Sequence, residues 1–395
     1  MAPNSPDPHA RPDSALAWRM LAAAFAVGFV VFGVVYSFGV FMKPVMDDLG
    51  ASQSVVSAYY AVSSLAFYLL GPLTGRIGDR MGPMWIAMAG ALTMGGGLAL
   101  TSLVRDAWTG LAVYGLGVGI GAACAYIPTF AIIGGWFDRY RTRALGIGVA
   151  GTGLGMLAVP PLVAMGIEHN GWRATMAALG AASMVVIGVA ALIVRRPQGA
   201  ASAEGRPLGE ALRSRAFAVM YGSWVLGTMA LFVPLVFLPA FAARRGVDPV
   251  SASWLISVIG GASIAGRLGI GLVGNTLGAI GLYKLSVLTM ALSYGLWLVA
   301  PGYAWLLAFA ALLGVAYGVR IALVAPVLIE FFGVRDLGAL LGVFFTATGI
   351  AGLLGPLIAG FAVDATGDYG LAIMAAIAWG LLAFVVVLPL RKPQP

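Results

Sequence analysis

Between Ser14 and Arg391 the chain is a succession of apolar runs, most of them about 20 residues or longer, separated by short stretches that hold nearly all of its charge. A hydrocarbon core about 30 Å thick takes about 20 apolar residues to cross as a helix, and a helix satisfies its own backbone hydrogen bonds there. Reading the runs between charge clusters predicts helices near 16–42, 54–75, 84–104, 107–134, 144–166 and 172–194, then near 216–242, 250–273, 282–300, 304–331, 338–362 and 370–390. The segment from Arg195 to Arg215 between the two sets is charged and rich in Gly, Pro and Ser, which reads as a linker. Composition agrees: 61% of the 395 residues are hydrophobic and 10% charged, where soluble domains carry about 25% charged residues. The expected fold is an all-α membrane protein of twelve transmembrane helices. The expected organisation is a disordered tail at 1–14, six-helix bundles at 15–195 and 216–391, and a linker at 196–215.

The net charge is +8. In a soluble protein that would raise nucleic-acid binding, but here Lys and Arg mark loops. If the N-terminus lies in the cytoplasm, 16 of the 23 basic residues fall on that side and 5 on the other, which puts both termini inside. Arg267 and Arg320 are the remaining two and lie within predicted helices. Trp18, Trp85, Trp108, Trp136, Trp172 and Trp305 cluster near helix ends, as an aromatic belt would. The apolar run after Arg19 is too long for the core of a cleaved signal and reads as a retained first helix. A lone cysteine, Cys124, cannot form an intrachain disulfide, and neither His9 nor His169 has a ligand-spaced partner, so no metal and no cofactor are expected.

The halves repeat. Gly75, Gly78 and Gly82 recur 196 positions on as Gly271, Gly274 and Gly278; the same shift takes Gly146, Gly153 and Pro160 to Gly342, Gly349 and Pro356, and Gly171 to Gly367. Parallel six-helix repeats predict a pseudo-twofold axis along the membrane normal and a cavity between two pseudo-symmetric bundles.

The stretch Gly75-Arg76-Ile77-Gly78-Asp79-Arg80-Met81-Gly82 resembles the signature loop between helices two and three of the major facilitator superfamily. That resemblance implies alternating access by two six-helix halves and a conformational role for Gly75, Asp79, Arg80 and Gly82. The counterpart loop is degraded, with Asn275 in place of the acid. A narrower resemblance is to the monocarboxylate transporters and their bacterial relatives, which include oxalate:formate antiporters. It rests on Tyr36-Ser37-Phe38-Gly39-Val40-Phe41 in helix one and on Arg267 in helix eight, placed as that family's substrate-binding arginine. It implies a small carboxylate as substrate, protons as the coupling ion and a bacterial inner membrane as the location. Two departures bear on coupling. Ser263 stands where animal members carry an acid, and Tyr36 where they carry a lysine, so their proton relay does not transfer.

A charged side chain at membrane depth costs about 2.5–3.5 kcal/mol on insertion scales. No acid lies mid-membrane near Arg267 or Arg320; Glu330 is ten residues beyond Arg320, about 15 Å at 1.5 Å per residue. Two such arginines imply a wet cavity and an anionic ligand, since guanidinium matches a carboxylate with two parallel hydrogen bonds. For Arg320 the alternative is that it caps backbone carbonyls or closes a gate. Tyr317 shares its helical face, and the repeat sets Cys124 opposite Arg320 with Tyr126 two positions on. Tyr36, Tyr126, Tyr317 and Cys124 therefore join the arginines as candidate substrate-binding residues; the alternative for each tyrosine is packing, and for Cys124 a small hydrophobe's role.

No phosphate-binding Gly-Lys-Ser/Thr loop and no hydrolytic constellation is present, so neither direct ATP coupling nor an enzyme is expected. The glycine-rich runs at 115–121 and 146–155 read as close-packing sites. The expected function is a monomeric secondary transporter of mono- or dicarboxylates, by proton symport. The alternatives are a carboxylate exchanger and a multidrug efflux pump, the latter predicting deep acids and a Gly-Pro motif in helix five, where this chain has Pro160-Pro161.

Overall fold

A computed structural model describes residues 13–137, 139–196, 208–333 and 337–391, without side-chain description at positions 79, 134, 141–143, 208, 270–277, 337 and 338. Eleven helical stretches among these residues are long and apolar enough to cross a membrane. One runs the length of two crossings, and Gly171 breaks it at φ 77°. The crossings are therefore twelve. In chain order they are α1 (Ala15–Leu49), α2 (Gln53–Met81), α3 (Pro83–Thr101), α4 (Ala107–Ala131), α5 (141–170), α6 (172–193), α7 (Arg215–Arg244), α8 (249–277), α9 (279–299), α10 (Tyr303–Phe332), α11 (Leu337–Thr366) and α12 (Gly370–Val387). The expected linker also carries a six-residue helix, Leu208–Arg213. The outer surface exposes large apolar residues such as Leu69, Leu162, Val185, Leu268 and Phe361, which only a hydrocarbon solvent accommodates on this scale.

The 196-residue repeat is visible in backbone conformation. Gly82 and Gly278 both adopt positive φ where one crossing hands over to the next, and Gly171 with Gly367 and Gly50 with Gly246 do the same. These turns need φ values that side-chain-bearing residues adopt at a cost, so glycine recurs at the same offset. Caps follow the repeat too. The Ser52 hydroxyl accepts from Val55 N at the start of α2, and the Asp248 carboxylate accepts from Ser251 N at 2.8 Å at the start of α8. Hydrogen bonds from Ser251 hold the Asp248 carboxyl below the usual range, and those from Thr109 do so for Asp106, the cap of α4. The glycine run in α4 is a packing surface, as expected. A methyl at Gly119 would meet Ser63 O of α2 at 2.6 Å, and one at Gly117 would meet Gly97 of α3 at 2.7 Å.

Twelve crossings leave both chain ends on one face, called here the terminal face. There Asp13 accepts from the backbone N–H of Arg139 and Tyr140, capping the entry to α5 from outside that helix. Trp136 donates to Arg195 O at 3.0 Å, and Arg196 donates to Gly78 O at 2.8 Å, which ties the signature loop to the start of the linker. In that loop Arg80 is exposed and Gly82 caps the turn before Pro83; the side chain of Asp79 lies outside the described residues. The belt reading needs correction at two tryptophans. Trp18, Trp85, Trp108 and Trp305 are exposed, whereas Trp136 is buried by its bond to Arg195, and Trp172 is buried beneath the Arg173 guanidinium, 4.5 Å from its ring.

The two halves meet mainly toward the opposite face. A methyl at Gly39 of α1 would meet Leu235 O and Val236 O of α7 at 2.8 and 2.9 Å. The α2–α11 seam ends in a polar latch. The Asp364 carboxylate accepts from Gln53 N at 3.0 Å and Ser54 N at 2.9 Å, so a residue of the second half caps the first turn of a helix in the first. Gln53 donates to Tyr369 Oη at 2.9 Å and accepts from Arg244, whose guanidinium lies 4.9 Å from the Tyr369 ring.

Candidate functional site

Arg267 and Arg320 are placed very differently. Arg320 lies inside the second half, 1% exposed. Its guanidinium donates to Trp224 O at 3.1 Å, Ser223 O at 3.3 Å and Thr228 Oγ1 at 3.4 Å, and stacks 4.2 Å from the Trp224 ring. It fits there because α7 has Gly227 at that level, where a methyl would come within 2.9 Å of Nη2. Of the sequence alternatives, the geometry matches carbonyl capping.

Arg267 instead crosses from α8 to the other half. Its Nη1 donates to Val149 O at 3.2 Å and Thr152 Oγ1 at 3.4 Å on α5, its Nε has no partner, and the side chain is half-buried. No described carboxylate lies within ion-pair distance of either arginine; the ion pairs among described residues are Lys43 with Asp47 and Arg173 with Asp48, both at the surface.

Three of the predicted tyrosines converge between the halves. Tyr36 of α1 and Tyr317 of α10 place their hydroxyls 3.3 Å apart, a hydrogen bond joining the two bundles in the buried centre. Tyr126 of α4 stands edge-on to Phe32 at 5.0 Å, stacks on Phe130 at 5.3 Å and remains half-buried. A methyl at Gly28 would touch both the Thr152 methyl, at 3.4 Å, and the Tyr126 ring, at 3.6 Å, so Tyr126 sits beside the residue that holds Arg267. Cys124 is a free, buried thiol.

Sequence reading favours packing for the adjacent Tyr59 and Tyr60 of α2 and passes over Ser64 and Tyr68. Tyr60, Ser64 and Tyr68 recur every four residues and so share one helical face. With Tyr36 they line a cavity of about 10 Å³ bounded by α1, α2 and α4 of the first half and by Phe232 of α7, and the buried hydroxyls of Tyr60 and Ser64 have no hydrogen-bond partner. Only the four-residue spacing signalled this face. The adjacent Tyr59 points the other way and donates to Ala107 O at 2.6 Å within the first half. A larger cavity of about 680 Å³ lies on the flank of α1, α5 and α6, with Phe29, Leu162 and Val186 in its wall and no charged residue in its lining.

Exposure grades along this cluster. Tyr36, Tyr60 and Tyr317 are buried, while Tyr68, Tyr126 and Arg267, nearer the terminal face on their helices, are partly exposed. Toward the opposite face the latch joins the two halves. Chemically the centre offers one half-buried guanidinium, a wall of phenols and phenyl rings and, among the described residues, no acid.

The profile of the Major Facilitator Superfamily matches residues 24–303. The chain is 27% identical to the MFS transporter asaE of Aspergillus flavus over 92% of its length and 84% of that protein's. It is also 27% identical to monocarboxylate transporter 13 of Bos taurus, over 97% of this chain and 93% of that one. The same identity holds against the fujikurins efflux protein of Gibberella fujikuroi, over 85% and 74%. In fold it is similar to a bacterial homologue of the human lysosomal transporter Spinster, solved in an inward-facing and unoccupied conformation, with a TM-score of 0.78 at 17% identity over 94% of this chain and 96% of that one. A chain whose repeat, twelve crossings and signature loop agree with a profile spanning most of its length belongs to the Major Facilitator Superfamily and is one of its transporters.

Proposed function

We propose that this transporter carries small carboxylates across a bacterial inner membrane by alternating access, with the terminal face in the cytoplasm. One observation carries the reading. Arg267 stands at membrane depth, partly exposed, with only neutral acceptors beside it. A guanidinium in that setting favours an anion and repels a cation. Arg267 binds the carboxylate, and Tyr126 with the Tyr36–Tyr317 pair offers hydroxyls to its other end. Arg320 braces α7 against α10, which leaves one guanidinium for the substrate and favours a monocarboxylate over a dicarboxylate. The orientation follows from the excess of basic residues on the terminal face, and monocarboxylate transporters among the relatives support the substrate class.

Coupling is to protons, one crossing with each carboxylate; among the described residues no acid stands at the site. The test is uptake into proteoliposomes under an imposed inward proton gradient. Accumulation of a carboxylate, abolished by Arg267→Ala with expression intact, is expected. No accumulation beyond equilibrium sinks the symport claim, and uptake preserved in Arg267→Ala sinks the binding claim. Efflux is the second reading, favoured by the fujikurins efflux protein at the same identity. Under it, cationic dyes or hydrophobic compounds would stabilise the purified protein and carboxylates would not.

A further inference from the structure

The acceptors of Arg267 lie on the other half of the molecule. Its bonds to Val149 O and Thr152 Oγ1, at 3.2 and 3.4 Å, are long for a charged donor, whose bonds to carboxylates run about 2.7–2.9 Å. The acceptor pair is built rather than incidental. The Thr152 hydroxyl donates to Val149 O at 2.8 Å, which turns its lone pairs toward Arg267. The Thr152 methyl is seated at Gly28, beside Tyr126.

The same contact lies on the seam between α5 and α8. Moving along that seam toward the terminal face, Leu157 meets Gly261, Met156 meets Gly260, Gly153 meets Ile264, and Thr152 meets Arg267. Apart from the arginine, these contacts are apolar side chains set against glycine. Arg267 is the polar tie among them.

We propose that Val149 and Thr152 form a parking site for Arg267 that competes with the substrate. Resting on the carboxylate reading above, Thr152 is a positioning residue. In the unoccupied protein it holds the guanidinium on α5, and an arriving carboxylate, a stronger acceptor, draws the guanidinium away. Binding thereby removes the polar tie between α5 and α8 and lowers the cost of separating the halves along that seam. The guanidinium reports occupancy to the moving surface, with no acid required.

The experiment uses the full chain in liposomes, with benzoate, L-lactate and oxalate as probes. Thr152→Val keeps the shape and deletes the acceptor. It should lower the half-saturation concentration of whichever probe the wild type takes up, by about 2–10-fold, the range of one long, weak hydrogen bond with Val149 O still available to the guanidinium, without raising the maximal rate. Thr152→Ser should restore the wild-type value. A second readout is maleimide labelling of Ile264→Cys, which faces Gly153 across the seam, with the parent protein as blank for Cys124. A saturating probe should raise its labelling rate at least about twofold, and Thr152→Val should raise it without any probe. A higher half-saturation in Thr152→Val, or labelling indifferent to the probe, overturns the parking site. Wild-type protein that takes up none of the probes, or Arg267→Ala that still does, overturns the carboxylate reading instead.

Discussion

Arg267 and Arg320 carry the same charge at similar depth, and their surroundings differ. Arg320 is held by two carbonyls, a hydroxyl and an indole face, and Gly227 provides the space. Truncating it leaves a void against Trp224 and Gly227. Arg320→Ala should therefore cost about 2–4 kcal/mol of stability, read as a lower midpoint in thermal unfolding. Arg320→Lys should stay folded but remain destabilised, because a point charge replaces neither the planar stack nor the forked donors. Where it folds, its affinity for a transported carboxylate should stay within about twofold, a change too small for a direct bond to the anion. A tenfold loss would return Arg320 to the substrate. Arg267→Ala should do the converse, leaving the unfolding midpoint close to wild type and abolishing saturable uptake. Sequence placed both arginines in helices and found no acid near either. It could not separate them, because two of the three acceptors of Arg320 are backbone carbonyls on α7, about a hundred positions away, and backbone carbonyls leave no mark in a sequence.

The helices are joined by caps supplied in trans. Asp364 closes the first turn of α2, where the partial positive charge of the helix end meets a carboxylate. Asp364→Asn should weaken that contact by about 0.3–1 kcal/mol and loosen the latched face. The measurement is labelling of Ser57→Cys, which lies against Gly360 on the same seam; the rate should rise about 2–5-fold, and an unchanged rate would mean that apolar packing alone holds the seam. The in-cis caps make a pH prediction. Asp106 and Asp248 titrate below the usual carboxylate range when folded, so the stability they contribute is fully present above that range. It is lost as pH falls through the folded values. Asp248→Asn keeps a capping oxygen without the charge, so the unfolding midpoints of wild type and variant should converge on acidification. A gap that persists at low pH would refute the assignment. The positions and order of the helices were legible because each apolar run is bounded by charges or a turn glycine. The trans caps were not, since Gln53 and Asp364 are 311 positions apart and meet only once α2 packs along α11.

At the scale of the whole molecule, two six-helix halves touch along α1–α7, α2–α11 and α5–α8, latched toward the face opposite the chain ends. If this is one of two alternating states, a bond across the latched face should trap it. Cysteines at Ser57→Cys and Gly360→Cys, where a methyl at Gly360 would lie 2.6 Å from the Ser57 hydroxyl, should cross-link on oxidation and abolish uptake, with recovery on reduction. Full transport by the cross-linked protein would show that this seam need not open. By itself the sequence determined the solvent, the number of crossings and their pairing by repeat, because each follows from local hydrophobicity, charge spacing and glycine turns at a constant offset. Tertiary structure alone decided which of the deep charges meets the centre, which tyrosines share it and where the latch forms. Those outcomes depend on contacts between side chains and distant backbone, which form only when two halves separated by a linker are brought against each other.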